Sequence, residues 1–269
     1  MNRNLFKMEI RRNAAALIIW SVIICLLITI TMMVYPTYLA NQSKVIGMLN
    51  IIPKGMLQFK GISDINDLAS PLGFYSINNV IYMMLLGSIY SIVLSSGIII
   101  REEYHKTAEY LLARPLSRSE IFISKTLVVL LNIFLLNLIT SLIGFAGLEI
   151  VKTGPFSMKA FLTLSVNTFL LNLFFGSAGL LISVLVKRAR PLTSLGIGIV
   201  MVLYFVYTIS KISESVSFIG YISPFRYVSP DVFKSSFRLN VWHLAVFSGI
   251  TLILSLISWK IYLKRDIYI

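Results

Sequence analysis

The sequence is short of charge, short of acid and almost without cysteine. Of its 269 residues only 13% are charged and 57% are hydrophobic, where an ordinary globular domain carries about 25% charged residues. That deficit argues against a water-exposed surface of normal composition and makes lipid the main solvent. Cys25 is the only cysteine. No internal disulfide framework or thiolate metal site can form within one chain, and Cys25 reads as a small packing residue in an apolar run. Two histidines, His105 and His243, are too few for a metal site and read as interfacial packing. The zinc signature H-E-x-x-H, the nucleophile elbow G-x-S-x-G and the Walker A lysine motif are all missing. Metalloprotease, serine-hydrolase and P-loop ATPase chemistry have no carrier here.

Six long apolar runs are present, at about 14–34, 74–100, 121–148, 159–186, 191–210 and 241–263. Each reaches the roughly 20 residues that an α-helix needs to cross a bilayer. The runs are continuous rather than alternating, which excludes the ten-residue dyads of a transmembrane barrel and leaves helices. The first run is too long for a signal-peptide core and no small-residue cleavage site follows, so it reads as a retained anchor. The expected fold is an all-α integral membrane domain occupying residues 1–269 as one unit.

A net charge of +13 raises the question of nucleic acid, but the cations follow the spans. Fifteen of the 24 Lys and Arg residues fall on one side: positions 3, 7, 11, 12, 101, 106, 114, 118, 125, 187, 188, 190, 260, 264 and 265. The other nine are spread over longer loops. The denser side is expected to be cytoplasmic, with both termini on it, and no nucleic-acid partner is expected. Residues 2–13 mix Leu5, Phe6, Met8 and Ile10 with basic residues. They read either as an amphipathic helix on the inner leaflet or as plain positive flanking. On the outer side, residues 35–73 form a long loop. Residues 211–240 form another, too polar to span, with a compact aromatic run from Ile222 to Pro230 that includes Pro224, Phe225 and Arg226. An interfacial or re-entrant element and an exposed loop with a proline turn both fit it.

By these boundaries no Asp, Glu, Arg or His lies near the middle of a span. Intramembrane ionisable groups mark proton relays and ion-coupled transport, so their absence argues against an internal proton or sodium site and against an intramembrane hydrolase. The polar residues inside the spans are neutral: Gly87, Ser91 and Ser95 at every fourth position, then Asn132 and Asn137, then Asn167 and Asn172. Small residues and amides at such spacing serve helix packing. Ser91, Asn132, Asn137, Asn167 and Asn172 could alternatively line a weakly polar pathway.

Charge is concentrated instead in residues 101–125, which hold nine charged residues and four of the chain's eleven acidic ones. Tyr104, Ala108, Leu111 and Leu112 fall on one helical face, with Glu102, Glu103, Lys106 and Glu109 largely away from them. Pro115 ends that helix. Ser117 and Glu120 then match a capping box that restarts a helix just ahead of the third run. The expected shape is helix, break, capped restart, and it is the only sizeable surface between spans on the basic side.

These residues resemble the permease subunits of ABC-2 type transporters, six-span chains that pair with a separate ATPase. The family's loop reads E-E-x-x-G-T-L-E-x-L-L-x-x-P-x-S-R with a Lys early in the next span. This chain has Glu102, Glu103, Thr107, Glu109, Leu111, Leu112, Pro115, Ser117, Arg118 and Lys125 in that order. Pro53, Lys54, Phe59 and Gly61, then Ser70 to Phe74, resemble the family's first outer loop, and Ser223, Pro224 and Phe225 its S-P-F motif. The family's Gly before Thr is Lys106 here, so the loop must turn differently at that point.

The resemblance implies a fold like that of type V ABC exporters: residues 1–13 as a connecting helix, 101–120 as the coupling loop, and a re-entrant outer element at Pro224, Phe225 and Arg226. It implies ATPase-coupling roles for Glu102, Glu103, Thr107, Glu109, Tyr110, Leu111, Leu112, Arg114, Pro115 and Arg118. The implied partners are two copies of an ABC ATPase, which would hold the ATP and Mg, a second permease chain and the bilayer, with the chain in a bacterial cell membrane. Neither catalytic residue nor metal is expected in the chain itself. The function so implied is export of a hydrophobic or amphipathic compound by alternating access. A second reading is a membrane subunit that passes ATPase motion to an outer-face partner without moving a solute.

Overall fold

The computed structural model describes residues 2–53, 57, 68–104, 116–152, 154, 156–186, 192–212, 214–228 and 241–265. These residues form seven α-helices: α1 (Arg3–Ala40), α2 (Gln42–Ile51), α3 (Pro71–Tyr104), α4 (Arg118–Val151), α5 (Met158–Leu185), α6 (Thr193–Ile212) and α7 (Val241–Lys264). Two 3₁₀ segments, Glu214–Ile222 and Pro224–Val228, lie between α6 and α7. No strand occurs among the described residues. Six of the helices, all but α2, are long and apolar enough to cross a membrane.

The starts of the helices are fixed locally. The Asn2 side chain accepts from the amides of Asn4 and Leu5 at 3.1 and 3.0 Å. Ser70 Oγ accepts from the Gly73 amide at 3.0 Å, ahead of a helix that opens on Pro71, where a missing N–H costs nothing. The expected capping box is present at α4: the Glu120 amide donates to Ser117 Oγ at 3.2 Å and the Ser117 amide donates to Glu120 Oε2 at 3.1 Å. Ser157 caps α5 through the Ala160 amide.

The spans run close to their expected limits but several are longer. Residues 3–13, which fall in the segment 1–13 expected as a connecting helix, are the first turns of α1 and continue into the span without a break. They nevertheless cross α4 obliquely. The Asn2 amide bonds Ser124 Oγ at 3.0 Å, while Glu9, about 10 Å further along α1 at 1.5 Å per residue, pairs with Lys125.

α3 is the most buried span and stands at the centre. It packs on α1, α4, α5 and α6, most extensively on α5, while α4 lies along α1 and α7 along α5. The α3–α5 contact is close because glycine allows it. A Cβ on Gly179 would meet Ser95 Oγ at 2.0 Å and the Ile92 carbonyl at 2.7 Å. Amides bind the same helices. Asn172 accepts from Ser88 Oγ (3.4 Å) and donates to Asn137 Oδ1 (3.3 Å), and Tyr90 donates to Asn132 Oδ1 (3.2 Å). Ser91, Asn132, Asn137, Asn167 and Asn172 are all buried between helices of this one chain.

At the end away from the termini, Tyr35 and Tyr38 pack on Phe74, and the Tyr35 hydroxyl donates to the Ala69 carbonyl at 2.8 Å. These contacts tie α1 to the start of α3. After α6 the chain doubles back. Ser223 Oγ donates to the Leu203 carbonyl at 2.8 Å, and Phe225, fully buried, packs on Phe175, Tyr204 and Tyr207 with ring centroids 5.3, 5.5 and 6.3 Å apart. Leu203 is nine residues below the end of α6, so the segment descends its flank by about 13 Å. Arg226 is held by the Ser217 carbonyl at 2.6 Å and lies over the Tyr221 ring.

Candidate functional site

The buried charged groups among the described residues gather at one end of the bundle, where α1 and α4 begin and α3, α5 and α7 finish. Lys125 is 1% exposed and Glu9 0% exposed; such burial is rare for either residue unless it is paired. The Lys125 ammonium lies 3.3 Å from Glu9 Oε1, bonds Glu102 Oε2, and donates to the Ile98 carbonyl. Arg12 reaches Glu102 from the rim at 3.5 Å. Arg101, one residue earlier on α3, donates to Asn13 Oδ1 at 3.1 Å.

A second knot joins the same turn of α3 to the end of the chain. Arg265 Nη2 pairs with Glu103 Oε2 at 2.7 Å, and its Nη1 donates to the Ser183 carbonyl at 2.8 Å. Arg118 donates to the carbonyls of Leu263 and Arg265 at 3.3 and 2.6 Å. Carbonyls at helix C-termini lack intrahelical partners and carry partial negative charge, so both guanidiniums satisfy orphan acceptors, and Arg265 holds a carboxylate as well. Three carboxylates, Glu9, Glu102 and Glu103, therefore face three cations, Lys125, Arg12 and Arg265, each carboxylate within reach of at least one.

This cluster is the root of the loop 105–115. The chain enters that loop from Glu102, Glu103 and Tyr104 and leaves it at Leu116, Ser117 and Arg118. Glu102 is tied to Arg12 of α1, Glu103 to Arg265 just after α7, and Arg118 to the end of α7, while Arg265 also bonds the Ser183 carbonyl of α5.

Of the residues expected to couple, Thr107, Glu109, Tyr110, Leu111, Leu112, Arg114 and Pro115 lie outside the described residues. Glu102, Glu103 and Arg118 belong to the root. Tyr104 is exposed while Glu102 and Glu103, on the other face, are buried. The cause is electrostatic, since Lys125 and Arg265 draw both carboxylates inward. Sequence reasoning missed Glu9, Arg12, Asn13 and Arg265. One signal was available: Glu9 is the only acidic residue among the first 63, set among four cations.

Six spans, a capped restart and a clamped loop now stand together, and a family model settles what they belong to. The model of the ABC-2 family transporter proteins matches residues 4–267. The chain belongs to the ABC-2 transporter family. It is a multi-pass membrane protein and the permease component of an ABC transporter, in a family whose membrane chains are generally non-catalytic and normally work with an ABC ATPase. A search of the curated proteins gives no match to this chain.

Proposed function

We propose that this ABC-2 permease takes up the motion of a separate ATPase through residues 105–115 and passes it to the membrane helices through the Glu9–Lys125–Glu102 and Glu103–Arg265 clusters. The observation that carries the proposal is that both sides of residues 105–115 are fixed to helices far apart in sequence, by ion pairs of Glu102 and Glu103 before them and by Arg118 and Lys125 after them. A buried, ion-paired root moves as a unit, whereas a solvated loop would absorb the displacement. In the working assembly two permease chains sit over two ATPase subunits, which hold ATP and Mg, and the basic end faces the cytoplasm of a bacterial cell. Tyr110, Leu111 and Leu112 pack in a groove of the ATPase, and Glu109 and Arg114 set its register by charge.

The architecture proposed is that of a type V exporter, with residues 214–228 as the re-entrant element. Burial of Phe225 and the Ser223–Leu203 bond support that reading. The cargo is a hydrophobic or amphipathic compound, such as a peptide antibiotic or a lipid, moved outward by alternating access. Spans with no charge at mid-depth fit such a cargo. The coupling role is tested with Glu109→Arg combined with Leu111→Ala. The variant should fold and insert, while permease-dependent stimulation of the ATPase is lost. Full stimulation and transport by that variant would exclude the loop as the coupling element.

A further inference from the structure

Beside the ionic root lies an apolar groove of about 390 Å³, lined by Phe6, Leu127, Leu130, Leu131, Phe134 and Phe169. It is a shallow, open groove rather than an enclosed cleft, and it has no polar side chain in its lining. Leu130 and Phe134 are 40% and 49% exposed, so it opens on the lipid-facing side of α4. On α4 the lining runs from Leu127 to Phe134, about 10 Å of helix, which is about a third of a hydrocarbon core of roughly 30 Å. Its foot lies toward the charged end, where the Asn2 amide bonds Ser124 Oγ.

The foot carries cations. Going round α1 from the buried face of Leu5 and Glu9, Phe6 comes next; Arg3 follows about 60° beyond it and Lys7 about 100° beyond it, at 3.6 residues per turn. Both are exposed, as is Arg11 one turn further. Arg12, on the opposite flank, is already engaged with Glu102. A second copy docked about a two-fold axis through the groove would set Arg3 and Lys7 against their own counterparts, which disfavours that occupant. A ligand with a long apolar tail and a negative head matches both parts.

We infer that the groove holds an acyl chain of an anionic phospholipid, whose phosphate is met by Arg3 and Lys7. The lipid wedges the first turns of α1 against α4 and α5 and so braces the side of the root that carries Glu9. This site is independent of the ATPase reading and stands or falls without it.

The test is native mass spectrometry of the full chain in detergent micelles titrated with phosphatidylglycerol or phosphatidylcholine. One phosphatidylglycerol should be retained per chain, more tightly than phosphatidylcholine. Each basic residue near the headgroups contributes about fivefold, so Arg3→Gln with Lys7→Gln should weaken phosphatidylglycerol roughly 30-fold and leave phosphatidylcholine unchanged. Leu130→Trp, at a half-exposed position the bundle tolerates, fills the groove and should abolish retention of both lipids, while Leu130→Met keeps it. Equal retention of the two lipids, an unchanged double variant, or undiminished binding by folded Leu130→Trp each overturns the inference. So does a disulfide-linked dimer formed by Phe134→Cys in a Cys25→Ser background, which would assign the groove to a second copy.

Discussion

Replacing Lys125 with Met keeps the length and shape of the side chain and removes its charge. In the wild type the ammonium is 1% exposed and serves Glu9, Glu102 and the Ile98 carbonyl. Without it, Glu102 retains Arg12 at the rim, but Glu9 is left as a carboxylate with 0% exposure and no other cation recorded within ion-pair distance among the described residues. Removing one partner of a buried pair costs about 3–5 kcal/mol, because the survivor stays desolvated. At roughly 2–4 °C per kcal/mol for a chain of this size, the apparent Tm in detergent should fall by about 6–20 °C. The matched control is Lys152→Met, which breaks the exposed Lys152–Glu149 pair and should cost at most about 1 kcal/mol. Adding Glu9→Gln to Lys125→Met should restore part of the loss, with a coupling energy of about 0.5–3 kcal/mol. The assay is thermal unfolding of the purified chain, followed by intrinsic fluorescence and by loss of the monodisperse peak. A Lys125→Met protein that melts with the wild type, or two substitutions whose effects simply add, would refute the claim that the root is a tightly coupled unit.

Three further outcomes follow from the same geometry. Ser117→Ala removes the capping box and should destabilise the start of α4 by about 0.5–2 kcal/mol, seen as faster amide exchange over its first turn. Phe225→Ala empties a site enclosed by Phe175, Tyr204 and Tyr207 and should cost about 3–5 kcal/mol, with residues 214–228 becoming open to protease while α1 and α4 stay protected. Asn172→Leu leaves Ser88 and Asn137 without their shared partner; the loss should be about 0.6–2 kcal/mol in thermal unfolding, the range for interhelical polar contacts in membranes.

The spans were legible because lipid imposes one requirement, some 20 apolar residues with every backbone group bonded internally. Their ends were less so. α3 runs to Tyr104 and α4 starts at Arg118 because the polar turns 101–104 and 118–120 continue the helical hydrogen bonding, which hydropathy does not register. The capping box was readable in Ser117 and Glu120, since both partners lie within one turn. The root was not. Glu9 meets Lys125 and Glu103 meets Arg265 only after the helices have packed, and no periodicity joins residues so far apart. Hydrophobic patterning set Glu102 and Glu103 apart from Tyr104 but could not show that two buried cations, Lys125 and Arg265, hold them inside. The aromatic run around Phe225 could be placed at the interface but not down the flank of α6, because its depth depends on Ser223 reaching Leu203.

The most direct test of the account is ATP-driven movement in proteoliposomes that contain this chain and its ATPase. A fluorescent amphipathic peptide or phospholipid should cross to the side away from the ATPase when ATP is hydrolysed. Movement should stop with Glu109→Arg and Leu111→Ala even where the ATPase remains bound. Steady ATP hydrolysis that responds to the permease yet moves no such compound would contradict transport, and would leave the chain as a transmitter of motion to a partner on the outer face.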